Sequence, residues 1–178
     1  MSSPSYRIVE HDPNWPIEFE EEKTRVLGAL RINEERIKHI GSTSIPGLGA
    51  EPIVDITVGI PTMEQASFYL TSLERIGYEW RDYTVPGTWY IRKELPWRFN
   101  LHMTEYGNEF WLVHLLFRDH LRTHHEIART YESLKRNLMA KFATEPRIYN
   151  ESKTEFIQGV VSNARAEYGQ STGATLPR

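Results

Sequence analysis

The sequence contains no cysteine. This absence excludes a disulfide scaffold, a zinc site built from thiolates and a cysteine nucleophile, and it is typical of a reducing compartment. Long apolar runs are lacking as well: no stretch approaches the roughly 18 apolar residues that a membrane helix requires. The first residues show no basic segment followed by an apolar run, the pattern of a secretory signal. We therefore expect a cytoplasmic protein with no membrane partner.

The chain also lacks an excess of basic residues. The 21 lysines and arginines are outnumbered by 24 acidic residues, and the formal net charge is −3. This balance excludes a strongly basic protein that coats extended nucleic acid. The segment 110–148 differs, with seven basic residues against four acidic ones. A locally basic segment in a slightly acidic chain favours a small anionic or phosphorylated partner.

Hydrophobic residues make up 39% of the chain, which is enough for a sizeable core. The periodicity predicts an α/β protein of the α+β type, a mixed sheet flanked by helices with a helical C-terminal half. We expect one domain over residues 1–169 and a disordered tail over 170–178. The predicted strands cover 36–40, 52–60, 78–81, 88–93 and 98–106, and the later helices cover 63–76, 109–122, 125–142 and 151–168.

The first predicted helix places Trp15, Phe19 and Val26 near one face. Its other residues include three consecutive glutamates, Glu20 to Glu22. Such a run could bind a cation, but charge runs on helices are typically solvated. We interpret it as a solvated face.

A turn rich in glycine and hydroxyl residues follows the first predicted strand, with the sequence GSTSIPGLG at residues 41–49. Gly41 lets the backbone approach a ligand closely, while Ser42, Thr43 and Ser44 offer hydroxyls and amides. This composition suits phosphate oxygens, although neither the dinucleotide-binding nor the Walker spacing is present. The alternative is a tight turn whose amides bind Asp55.

Asp55 is the lone charge of the apolar strand 52–60. Alternation places Asp55 and Thr57 on one face, where a carboxylate is costly unless it meets a cation or a donor. In strand 98–106 the same alternation places Asn100 and His102 on the polar face. If that face adjoins Asp55, we expect His102 to be its partner.

Three roles for the pair remain open. His102 could be a general base, with Asp55 orienting it or holding a metal ion. Asp55, His102 and Thr57 could form a recognition site without chemistry. The pair could also be a buried hydrogen bond.

The segment GSTSIPGLGAEPIVD resembles the signature of the GrpB family, whose members carry a near-identical GSTSIPGL segment followed by Lys-Pro-Ile-x-Asp. The likeness continues in FRDHLR at 117–122, in Tyr131 with Leu134–Lys135, and in Tyr149 with Lys153 and Phe156–Ile157. The resemblance implies a nucleotidyltransferase superfold, in which a Gly-Ser loop holds a triphosphate and an Asp-x-Asp pair binds two metal ions.

By position, Gly41 and Ser42 match that loop and Asp55 matches the first aspartate. Thr57 stands where the family fold has its second aspartate. Two-metal chemistry needs carboxylates for both ions, so this chain could hold one Mg²⁺ at most, through Asp55. Glu51 stands where the family usually has lysine, which weakens a phosphate-binding role for that position.

Several basic residues are candidate ligands for an anion. Arg118 shares a helical face with His114 and Arg122, and an arginine there could clamp a phosphate, or it could pair with Asp119. The resemblance adds Lys135 and Lys153 as cationic ligands, with solvated helix charges as the alternative.

Three further histidines, His120, His124 and His125, invite a zinc interpretation. They lack an acidic partner in the local sequence and fall at a helix junction. We therefore expect no metal site there.

The residues and the resemblance together lead to two hypotheses. The first is a protein that binds a nucleotide or other phosphorylated small molecule at Gly41–Ser44 and acts as a nucleotidyltransferase through Asp55. The second is a non-catalytic ligand-binding or accessory module for a CoA-type or other anionic ligand, with a degraded metal site. An acyl- or aminoacyl-handling enzyme is a weaker third.

Overall fold

The computed structural model describes residues 7–94 and 98–170. Its strands are β1 (Ile37–Ile40), β2 (Val54–Ile60), β3 (Glu79–Val85), β4 (Thr88–Lys93) and β5 (Phe99–Glu105). Its helices are α1 (Trp15–Leu30), α2 (Ala66–Glu74), α3 (Glu109–Thr123), α4 (His125–Phe142), α5 (Pro146–Glu151) and α6 (Thr154–Gln170). The predicted mixed sheet with a helical C-terminal half is confirmed.

The five strands form one sheet in the order β1-β2-β5-β4-β3. The central pair, β2 and β5, is parallel, and the other pairs are antiparallel. The register sets Asp55 beside Asn100 and Thr57 beside His102. The polar faces of the two strands therefore coincide, although α2, β3 and β4 lie between these strands in the sequence.

The alternation of β2 and β5 divides the sheet into an apolar and a polar face. The apolar face packs under α1 and α2, with Val54, Ile56, Phe99 and Leu101 in the main core. A second core joins α3, α4 and α6 to the turn that follows β1, through residues such as Ile45 and Leu48. The C-terminal helices thus hold that turn in place on the polar side of the sheet.

Local sequence signals mark the starts of helices α3 and α5. The Asn108 side chain accepts a hydrogen bond from the Trp111 amide at 3.0 Å and starts α3. The predicted helix 63–76 is a 3₁₀ turn, Met63–Gln65, followed by α2. Helix α5 was not predicted, although Pro146 at its first position is a typical start signal.

The predicted C-terminal tail and the predicted lack of membrane helices can be compared with the structure. Helix α6 includes Gln170, the first residue of the predicted tail, and residues 171–178 lie outside the described residues. Among the residues described, no helix combines the length and apolar character needed to span a bilayer.

The interpretation of the acidic run on α1 as a solvated face is wrong for Glu22. This side chain is fully buried, and it accepts a hydrogen bond from the Lys93 ammonium at 2.9 Å and from Arg25 at 2.8 Å. Glu22 falls within the apolar stripe of α1, between Phe19 and Val26, and so faces β4. The glutamate does bind a cation, one that the protein itself supplies.

Candidate functional site

Asp55 forms the centre of a polar cluster on β2 and β5. The Asn100 side-chain amide donates a 3.0 Å hydrogen bond to Oδ1, and Nε2 of His102 lies 3.6 Å from the same oxygen. The Tyr90 hydroxyl, from β4, donates to the Asn100 side-chain oxygen at 2.6 Å. The expected adjacency of Asp55 and His102 is confirmed, while the roles of the two residues stay predictions.

This environment keeps Asp55 ionised. Burial acts to raise its pKa, but the His102 and Asn100 side chains that face the carboxylate outweigh burial and lower the pKa below its usual value. Both neighbours engage Oδ1, which leaves Oδ2 directed at the backbone of Gly41. The site therefore presents a fixed negative charge to the turn.

An aromatic wall from α3 covers the His102 ring. The centroids of Phe110 and His114 lie 5.5 and 6.2 Å from that of His102, and the centroid of the Tyr90 ring, from β4, lies 5.4 Å away. His114 is anchored by a 2.8 Å hydrogen bond between Nδ1 and the Phe110 carbonyl. These contacts fix the orientation of His102 beside Asp55.

Gly41 makes the closest backbone approach to Asp55. Its φ is +70°, and the β-carbon of any other residue would collide with the Asp55 carboxylate. The Ser44 hydroxyl donates to the Gly41 carbonyl at 2.6 Å and closes the turn. Ser42 stays half-buried, with its hydroxyl facing that of Tyr131. Gly41 and Ser42 thus border the Asp55 cluster.

Thr43 supports the turn from inside. It is buried, its hydroxyl donates to the Ile53 carbonyl at 3.2 Å, and it lies 3.0 Å from Nε2 of His39. Ser44 is also buried, with its hydroxyl engaged as described. The hydroxyls of Thr43 and Ser44, both predicted to bind phosphate, are therefore occupied by contacts within the protein.

The predicted anion ligand Arg118 forms hydrogen bonds within the protein. It donates to both carboxylate oxygens of Asp119, at 2.6 and 3.0 Å, and to the His39 carbonyl at 3.0 Å. Arg122 donates twice to the Ser44 carbonyl, at 3.0 and 2.7 Å. The structure thus favours the alternative in which Arg118 pairs with Asp119. Arg118 ties α3 to β1, and Arg122 ties α3 to the turn.

Lys135 and Lys153 approach the turn from α4 and from the α5–α6 connection. Lys135 is fully buried and donates to the Gly49 carbonyl at 2.7 Å, and burial lowers its pKa to about 8. Nζ of Lys153 lies 3.9 Å from Glu51 and 4.1 Å from the centre of the Tyr149 ring. Neither lysine is a solvated helix charge, and Glu51 is one member of an ion pair.

The burial of His39 and His114 predicts how the free energy of unfolding depends on pH. Burial is the main cause that lowers the pKa of His39 to about 3 and that of His114 to about 4. In the unfolded chain both take up protons near pH 6.5. We therefore expect the free energy of unfolding to fall as the pH drops from about 6.5 towards 4, by up to about 1.4 kcal/mol per pH unit for each histidine.

Urea unfolding at several pH values measures this slope. His39→Gln removes one titrating group and keeps a polar side chain, so its slope should be shallower by about one proton. An unchanged slope would mean that His39 accepts its proton in the folded state as readily as in the unfolded chain.

The sequence pattern did not single out Tyr90, Phe110 or Tyr131 as site residues. Tyr90 pairs with His102 across β4 and β5, a relation that follows from strand order and not from spacing. Phe110 precedes His114 by one helical turn, a signal that was available. Tyr131 was noted as part of the family likeness without a role. Burial raises its pKa, so it stays a neutral hydroxyl beside Ser42.

Curated relatives cover most of the chain. "Glutamate-rich protein GrpB" of Alkalihalophilus pseudofirmus is 30% identical over 166 residues, 87% of this chain and 93% of that protein. YqkA of Bacillus subtilis is 34% identical over 160 residues, 89% of this chain, which spans 47% of YqkA's length. A dephospho-CoA kinase of Mycolicibacterium paratuberculosis is 29% identical over 75 residues, 40% of this chain and 18% of the kinase.

Solved structures give the fold. The crystal structure of GrpB from Enterococcus faecalis has a TM-score of 0.81 and 34% identity, covering 91% of this chain and 99% of that one. The Cid1 poly(U) polymerase with Mg 3'-dATP bound has a TM-score of 0.51 and 13% identity, covering 77% of this chain and 43% of the polymerase. The fold is therefore nucleotidyltransferase-like. Because the GrpB protein model also matches residues 5–163, the chain belongs to the GrpB family.

Proposed function

We propose that this chain binds a nucleotide or other phosphorylated small molecule at the Gly41–Ser44 turn and transfers a nucleotidyl group through the Asp55 cluster. The observation that carries the proposal is an ionised Asp55 held directly against the Gly41 backbone, on a fold similar to that of a polymerase that binds Mg-nucleotide. Because Gly41 has no β-carbon, the turn lies directly against the Asp55 carboxylate, so an ion bound to Asp55 would lie beside phosphate oxygens held by the turn.

The donor set fits one Mg²⁺ and not two. Mg²⁺ binds through one or two carboxylates and keeps its remaining contacts for waters and substrate phosphates, so Oδ2 of Asp55 would hold it. Once bound, the ion would neutralise phosphate charge. Thr57, at the second carboxylate position, is buried, and its hydroxyl donates to the His102 carbonyl at 3.3 Å. It contributes no further ligand.

The imidazole of His102 supplies the base in this proposal. With Nε2 directed at Asp55, Nδ1 of the neutral ring carries the lone pair. A hydroxyl oxygen of the acceptor attacks the α-phosphorus, the bond to pyrophosphate breaks, and the hydroxyl proton moves to Nδ1. Asp55 then stabilises the imidazolium, 3.6 Å away.

A non-catalytic module for a CoA-type ligand is the second candidate. The identity of Thr57 favours it, since a hydroxyl at the second carboxylate position leaves the site without a ligand that two-metal chemistry needs. The partial match to a dephospho-CoA kinase adds CoA to the ligands that need testing.

Thermal unfolding with nucleoside triphosphates, coenzyme A and unphosphorylated nucleosides, each with Mg²⁺ or with EDTA, distinguishes the candidates. A ligand at about 100 times its Kd stabilises by about 2.7 kcal/mol, which raises Tm by about 5–10 °C for a chain of this size. We expect this shift with a triphosphate and Mg²⁺, and its loss in Asp55→Asn. Glu155→Gln, an exposed carboxylate on α6, is the matched control and should keep the shift.

The other outcomes discriminate further. A shift by coenzyme A that survives both EDTA and Asp55→Asn would replace the transfer reaction by the metal-free module. No shift with any phosphorylated compound would overturn the phosphate-binding turn itself. If the triphosphate binds, release of pyrophosphate with an added hydroxyl acceptor, and its loss in His102→Gln, tests the transfer step.

A further inference from the structure

A second cluster of potential ligands lies where α3, α4 and α6 meet. His120 is on α3, His124 is at the α3–α4 junction, and Glu167 is on α6. Nδ1 of His120 lies 3.4 Å from one Glu167 carboxylate oxygen, and Nε2 of His124 lies 3.4 Å from the other. One ligand atom from each residue falls within 4.8 Å of the others. The acidic partner that the local sequence lacked is supplied by α6.

The contacts of His124 favour one nitrogen as the metal ligand. Its Nδ1 lies 2.9 Å from the His120 carbonyl, which only accepts, and 3.0 Å from the Thr123 hydroxyl, and the carbonyl favours a hydrogen on Nδ1. A neutral ring then directs the lone pair of Nε2 at a carboxylate oxygen. A bound divalent cation would satisfy this nitrogen and the carboxylate oxygen that lies 3.4 Å from it. Histidines that bind metals typically donate their other N–H to a carbonyl in this way.

His120 completes the arrangement. Its side chain is 2% exposed, and its ring stacks on that of His124 with centroids 3.9 Å apart and planes 16° apart. The buried Nε2 of His120 has no hydrogen-bond partner among the described residues. A shared divalent ion would neutralise Glu167 without a proton charge on both imidazoles, and the two rings would turn out of the stack to bind it, because a metal lies in the plane of its imidazole ligand.

We propose that His120, His124 and Glu167 bind one divalent transition-metal ion of the zinc type, distinct from any ion at Asp55. Two imidazoles and one carboxylate form a ligand set used for zinc, with the fourth position left to water. Imidazole ligands disfavour Mg²⁺ and Ca²⁺, which prefer oxygen. The ion would join α6 to the α3–α4 junction.

Titration of the untagged chain with Zn²⁺ and Co²⁺, after removal of metal with EDTA and then of EDTA, tests the proposal. We expect Tm to rise by about 5 °C or more at saturating Zn²⁺. Bound Co²⁺ should show the intense visible absorption of a four-coordinate ion, and Mg²⁺ at equal concentration should displace neither. Performing the titration in Asp55→Asn as well separates this site from the proposed nucleotide site.

Matched variants identify the ligands. His124→Ala and Glu167→Gln should each weaken Zn²⁺ binding at least tenfold, whereas His125→Ala, the exposed neighbour outside the cluster, should bind as the unaltered chain does. Circular dichroism verifies that each variant is folded, and Glu167→Gln changes only a half-exposed side chain. Absence of a Zn²⁺ shift in the unaltered chain, or equal shifts in His124→Ala and His125→Ala, would overturn the proposal.

Discussion

Glu22→Ala should lower the free energy of unfolding by about 3–5 kcal/mol, because it leaves the Lys93 ammonium buried without its counter-ion. Glu22 is fully buried and Lys93 is 8% exposed, and their atoms meet at 2.9 Å. Arg25, which also contacts Glu22, is half-exposed and can turn to water when the carboxylate is removed. The buried Lys93 ammonium cannot turn to water in the same way. Urea unfolding at pH 7 measures the difference.

Two variants test whether charge burial is the cause. Glu21→Ala removes the neighbouring, exposed glutamate and should change stability by no more than about 0.5 kcal/mol. The double variant Glu22→Leu/Lys93→Met replaces the pair by apolar groups and should recover most of the loss. A loss below about 1 kcal/mol in Glu22→Ala would mean that water reaches Lys93 in the folded chain.

Helical periodicity, applied to Glu22 by itself and not to the acidic run as a whole, predicts that this side chain is buried. Phe19, Glu22 and Val26 are spaced three and four residues apart, so Glu22 was in the apolar stripe by the same rule that identified its neighbours. Interpreting the three consecutive glutamates together as a solvated face disregarded that spacing. Its partner, Lys93, lies on β4, and the strand order that brings them together has no local signal.

The sequence predicted which side chains of the Asp55 cluster share a face of their own strand, but not which strands lie side by side. Alternation in β2 and β5 placed Asp55 with Thr57 and Asn100 with His102; burial alternates along the first five residues of β5, whereas every residue of β2 except Asp55 is buried. That the two polar faces coincide depends on parallel pairing in a particular register. Alternation restricts such a register but does not select the pairing partner.

The basic residues near the turn could not be assigned from the sequence. Arg122 and Lys135 donate to the carbonyls of Ser44 and Gly49. Every residue carries a backbone carbonyl, so no side-chain pattern marks which carbonyls will be left in need of a donor. Helical spacing identified Arg122 and the family likeness identified Lys135, whereas their contacts followed only from the folded chain.

Gly41→Ala should be strongly destabilising, by about 2–5 kcal/mol, for two reasons that add. The φ of +70° is costly for any residue with a β-carbon, by about 1–3 kcal/mol. The new methyl group would also collide with the Asp55 carboxylate and push it from its place beside Asn100. Urea unfolding measures the first consequence. The second predicts loss of the Tm shift by nucleotide with Mg²⁺.

Gly47→Ala separates the two causes. Gly47 has a similar φ of +76°, but an added β-carbon would meet no atom within 4 Å. This variant should lose only the conformational part of the stability and should keep the ligand shift. Equal losses of stability in Gly41→Ala and Gly47→Ala would mean that the backbone conformation alone sets the cost at Gly41.

The contact itself is measured by combining Gly41→Ala with Asp55→Ala. Removing the carboxylate opens the space that the methyl group needs, so Gly41→Ala should cost less in the Asp55→Ala background than in the unaltered chain. A cost that is equal in both backgrounds would contradict the close approach. If the costs differ, the requirement for glycine at position 41 originates in the carboxylate that it approaches, and the turn and Asp55 act as one unit.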